Sequence, residues 1–160
     1  SHTITVREYR NISKFRRKLM GRHYDGDISG KFWFAVQSSD DGEYFGALDI
    51  TEENTDSDYH DGFIDYVIYF SDIDKVKEGI DLCKRQLRGN YEHLNEFFLQ
   101  NVGYNDDMII EFYKKTRGIH INEGFLREQL TIFARLDFGT QILLYFNENP
   151  GEDCHFTAET

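Results

Sequence analysis

Hydrophobic positions along this chain recur with period two in some blocks and with helical spacing in others, and the blocks are not interleaved regularly. At 3–7, Ile4 and Val6 alternate with threonines, which predicts a short opening strand. At 10–22, Ile12, Phe15 and Leu19 recur at +3 and +4 and predict a helix with one apolar face. Asp25-Gly26-Asp27 and Ser29-Gly30 are turn chemistry and end it. Phe32, Phe34 and Val36 then alternate with Trp33, Ala35 and Gln37. After 38–42 the alternation resumes at Tyr44, Gly46, Leu48 and Ile50. Two such runs around Asp41-Gly42 predict a hairpin, and aromatics on both faces of its first strand predict a central position. An acidic polar loop at 51–62 leads to a third strand at 63–70.

Helical spacing follows. Ser71 with Asp74 resembles a capping box, and Ile73, Val76, Ile80, Cys83 and Leu87 share one face up to Gly89. Asn90 can cap a second helix carrying Leu94, Phe97, Phe98 and Val102, closed by Gly103. The 106–115 stretch, with acids at its start and Lys114 and Lys115 at its end, predicts a third helix; a strand through Met108, Ile110 and Phe112 is the alternative. From Asn122 the pattern reads as a short helix at 123–128, then a hairpin of 130–137 and 140–147 about Phe138-Gly139. The alternative makes 122–136 one helix. The tail at 151–160, after Pro150, is polar and expected to fray. Strands early and late with helices between them predict an α+β fold, a mainly antiparallel sheet with helices packed on it. One globular domain is expected over 1–150, followed by the polar C-terminal tail.

Composition supports a core. Mean hydropathy is −0.61, but 14 Phe and 10 Tyr bury much area per residue. Cys83 and Cys154 are too few and too far apart for a disulfide scaffold, and no apolar run is long enough to span a membrane. A reducing, cytoplasmic setting is therefore expected.

Charge changes the picture more. The stretch 32–74 holds twelve acids and no Lys or Arg, so it carries −12 of a net −11. Residues 1–31 carry a local +5, with Arg10, Lys14, Arg16, Arg17, Lys18 and Arg22 on the predicted first helix. That helix can touch phosphate or an anionic membrane, but its cations more simply balance the acidic segment.

Catalytic chemistry finds little support. Asn54, Asp56, Asp58 and Asp65 fall on EF-hand positions, but Tyr59 stands where the loop needs glycine and the closing bidentate Glu is missing. His60 lies among acids, yet no histidine has metal-ligand spacing. There is no nucleophile elbow, Walker loop or dinucleotide fingerprint. Acid pairs such as Asp40/Asp41 and Glu52/Glu53 arise by chance among so many carboxylates. No enzyme activity, metal or cofactor is expected.

Segregated carboxylates repel one another, which argues for a basic partner reached by electrostatic steering. The expected contact set is Asp40, Asp41, Glu43, Tyr44, Glu52, Glu53, Asp56, Asp58, Tyr59 and Asp61, with Tyr66 and Trp33 as further aromatic anchors. In its small acidic chain, its 32–37 aromatic run and its acid loop before Phe63, the chain resembles the immunity proteins of bacterial toxin systems, especially those acting on nuclease toxins of contact-dependent inhibition. That resemblance implies a cognate toxin domain as partner and no catalysis. Phage DNA-mimic anti-defence proteins are the second group it looks like, and direct nucleic-acid binding by the 10–22 helix is the third reading.

Overall fold

A computed structural model describes residues 21–33, 35–53 and 62–160. The strand expected at 3–7 lies outside them, as does the basic helix at 10–22 apart from Gly21 and Arg22. The fold is α+β: a five-stranded antiparallel sheet in the order β2-β1-β5-β4-β3, together with helices. The strands are β1 (His23–Gly26), β2 (Gly30–Lys31), β3 (Leu48–Asp49), β4 (Phe63–Ile68) and β5 (Cys154–Glu159). The helices are α1 (Ile73–Leu87), α2 (Asn90–Gln100), α3 (Asp106–Arg117) and α4 (Glu123–Glu148).

The 151–160 stretch is therefore not a frayed tail. Its β5 is the middle strand, paired with β1 on one side and β4 on the other. Cys154, Phe156 and Ala158 alternate inward beside Tyr24, Tyr66 and Ile68. Two of the inward residues are small, so the period-two signal is faint. Both cysteines are buried and free.

The hairpin expected around Asp41-Gly42 does not form. Phe32 and Trp33 alternate because they enter two different aromatic clusters. Phe32 packs with Tyr24 and Phe138; Trp33 packs with Phe98, Tyr104 and Phe133. The chain then turns, with Ala35 at φ 64° and the buried Gln37 side chain accepting from the Trp33 amide at 3.0 Å. A 3₁₀ turn follows at Asp41–Phe45, ended by Gly46 at φ 89°. Only Leu48–Asp49 is strand.

Phe45 fixes this turn to the helices. It is fully buried, and its ring lies on two glycines, Gly79 of α1 and Gly139 of α4. A Cβ at Gly139 would meet the ring at 2.3 Å, and one at Gly79 at 2.7 Å. This explains the second misreading. Phe138-Gly139 is not a hairpin turn: α4 runs unbroken through it, and the glycine is there to admit a neighbour's ring. α4 is apolar on several sides because the sheet, α1 and α3 all pack around it, which obscured its helical period.

Helix starts also differ from expectation. Asp72, not Ser71, precedes α1 and makes no side-chain cap bond. Asn90 is the first residue of α2, and its side chain turns instead to Gln129 and Tyr113. Helix α3 matches the helical reading of 106–115 and is capped by Asn105, whose side chain accepts from the Met108 amide. No helix among the described residues is long and apolar enough to cross a membrane.

Alanine normally improves a helix-interior glycine by about 0.5–1 kcal/mol. At Gly139 the sign reverses: Gly139→Ala is expected to lower the unfolding free energy by about 2 kcal/mol through overpacking on Phe45. Gly103→Ala, where nothing lies within 4 Å, is expected to stay within about 0.5 kcal/mol in the same denaturant titration.

Candidate functional site

The acidic segment is held between α4 and the β3–β4 edge. Asp41, at the start of the 3₁₀ turn, is 1% exposed. Its Oδ1 accepts from Arg135 Nε at 3.0 Å and its Oδ2 from Gln37 Nε2 at 3.0 Å. Burial pushes its carboxyl above the usual range, and the Arg135 and Gln37 bonds pull against that rise. The same guanidinium stacks on the Tyr44 ring, 3.6 Å from its centroid. Asp41 is therefore removed from the contact set predicted from sequence. Its charge is spent inside the protein, holding the turn to α4.

One position further along, the geometry changes. Glu43 is exposed and accepts from the Tyr66 hydroxyl at 2.9 Å. Tyr66 is buried on β4, so it is not a surface anchor. Its hydroxyl is pushed upward first by burial, then by the Glu43 bond and by the charges of Glu43, Asp40 and Asp49. Of these three, only Glu43 is hydrogen-bonded to the phenol; Asp40 and Asp49 act on it through their charge. Asp49 lies on β3, in register with Tyr66. Asp49 also accepts from the Thr51 amide at 2.9 Å and from its hydroxyl at 2.6 Å, which sets the 3₁₀ turn Thr51–Glu53. The turn presents Glu52 and Glu53 to solvent.

Among the described residues, none of Asp40, Glu43, Asp49, Glu52 and Glu53 forms an ion pair. Asp72 pairs with Lys75 at 3.6 Å, and Asp65 is buried, accepting from Thr157 Oγ1 at 2.9 Å. Tyr44 is 56% exposed, with the Arg135 guanidinium stacked on its ring. Trp33 is half-buried in its aromatic cluster. Asp56, Asp58, Tyr59 and Asp61 lie outside the described residues, as do His60 and most of the tested calcium loop. No cluster of metal-ligating side chains occurs among the described residues.

Sequence reasoning missed Arg135 and Asp49. The period-two reading of 130–137 hid the fact that Arg135 projects from a helix toward Asp41. Comparison with family models, with curated proteins and with solved structures gives no match to this chain.

Arg135→Gln leaves a buried carboxylate without its cation and is expected to cost about 3 kcal/mol at pH 7. The folded-state pKa of Asp41 is raised, so its contribution to stability is full below its unfolded value and falls as pH rises. Without Arg135 the rise is larger, so the variant should lose more stability at pH 7 than at pH 4. Denaturant titrations at both pH values check this; an equal loss at the two contradicts it.

Proposed function

We propose that this protein binds a basic protein partner through its acidic edge, and that it is an immunity protein that inhibits a cognate nuclease toxin. The observation that carries this is the exposed acidic edge itself: Asp40, Glu43, Asp49, Glu52 and Glu53 have no ion pair among the described residues, and Glu43 is fixed in place by the Tyr66 hydroxyl. Like charges held together on ordered backbone raise the energy of the free protein, and a cationic surface removes that repulsion on binding. Glu52 and Glu53 extend the same polarity along the edge, and Tyr44 adds an exposed ring, stacked under Arg135, of the kind that anchors interfaces. A nuclease surface built to hold phosphates supplies the matching arginines and lysines. Inhibition then follows from occupying that surface. On this reading the protein needs no catalytic group of its own and works in the cytoplasm of the cell it protects.

The triple variant Asp40→Lys/Glu52→Lys/Glu53→Lys changes exposed side chains, so its melting temperature should hold. Affinity capture from the native host should recover one basic toxin domain with the unaltered protein, and binding should fall at least tenfold with the variant. Co-expression should protect cells from that toxin alone. Recovery of several unrelated DNA-binding proteins, with steep salt dependence, would point to DNA mimicry instead. Equal capture by both forms would refute an acidic interface.

A further inference from the structure

A second feature lies at the other end of α1. The C-terminal end of α1, the start of α2 and the first half of α4 enclose a cleft of about 600 Å³. Its floor includes Gln129, only 6% exposed. The orientation of that amide is set by a relay. The Tyr113 hydroxyl donates to Asn90 Oδ1 at 3.3 Å, and Asn90 Nδ2 donates to Gln129 Oε1 at 3.0 Å. Gln129 Nε2 is left as a donor with no partner among the described residues.

The rest of the cleft agrees with that polarity. Arg85 and Arg88 line it, and neither guanidinium has an ion-pair or hydrogen-bond partner among the described residues. Glycine would suit position 88 better, since its φ of 55° and ψ of −127° strain a side-chain-bearing residue. The start of α2, whose Asn90 lines the cleft, has no side-chain cap. Leu82 and Phe125 are exposed beside it and Ile132 closes one wall. Glu128 is the single carboxylate, so the lining carries two cations and one anion, a net +1 in a chain of net −11.

From this we infer that the cleft binds a small organic monoanion, a carboxylate on an apolar body. Its head takes the Gln129 amide and the two arginines, and its body lies on Leu82 and Phe125. An acceptor-only head matches the unpartnered donors of Gln129, Arg85 and Arg88, and the single net charge, with Glu128 opposing the two arginines, disfavours a polyanion. A cleft of this size with apolar walls and few placed donors is typical of small-ligand sites.

The probe is 2-naphthoate, with 2-naphthalenemethanol as its neutral counterpart, in an NMR titration of the full chain labelled with ¹⁵N. Naphthoate is expected to saturate and to shift the Gln129 side-chain amide, with the alcohol at least tenfold weaker. Arg85→Gln/Arg88→Gln should weaken naphthoate at least tenfold without lowering the melting temperature, since both side chains are exposed. Gln129→Glu keeps the acceptor for Asn90 but replaces the free donor with a negative charge, and should abolish binding. Reversal of the acidic edge should leave binding unchanged, which separates this site from the partner interface. Equal binding of acid and alcohol, no saturable shift at Gln129, or insensitivity to either variant would overturn the assignment.

Discussion

Everything on the functional side of this molecule depends on one ring set into two helix backbones. Phe45 enters the seam between α1 and α4 at Gly79 and Gly139, where any side chain would collide with it. This contact stops the 41–53 segment from being a solvated acidic loop. It holds the 3₁₀ turn in place, and the turn in turn sets Asp41 under Arg135 and Glu43 over Tyr66. Large apolar area buried against backbone atoms, with no rotamer freedom lost by the glycines, makes the anchor rigid as well as stable.

The anchor also explains how charge is divided along the acidic stretch. Adjacent acids have opposite fates because a 3₁₀ turn sends successive side chains in different directions. Asp41 goes inward, where it is affordable only because a guanidinium and an amide meet both of its oxygens. Asp40 and Glu43 go outward and are left with their fields unopposed. A surface of this kind repels anions at long range. The cleft at the far end of α1, by contrast, has a net positive lining.

How much of this could be read in advance depended on whether local pattern and tertiary role agreed. For α1, α2 and α3 each helix has one buried face and one wet face, so its period was plain and its bounds came within a few residues. The β4 strand was equally plain, being central and apolar. The pattern failed where a segment meets the core on more than one side. Helix α4 is surrounded, so its apolar residues recur too often for any one period, and its glycine, present for Phe45, mimics a turn. Phe32 and Trp33 mimic a strand because neighbouring rings serve separate clusters. In the site, where among the described residues Asp40, Glu43, Asp49, Glu52 and Glu53 have no ion pair while Asp41 and Asp72 do, the local excess of acid was legible. The inward turn of Asp41 was not, since its partner sits 94 residues away on a helix misread as a strand.

The position of β5 has a consequence for how the molecule is made. β1 and β4 do not pair with each other; each pairs with β5, which follows the described helices α1–α4 in sequence. During synthesis, the helical layer can collapse while the two halves of the sheet, β2-β1 and β4-β3, wait with open edges. Antiparallel closure over such long sequence separations is slow compared with helix formation. The newborn chain thus passes through an interval in which unpaired strand edges are its most vulnerable feature, and the pairing of β5 with β1 and β4 ends it.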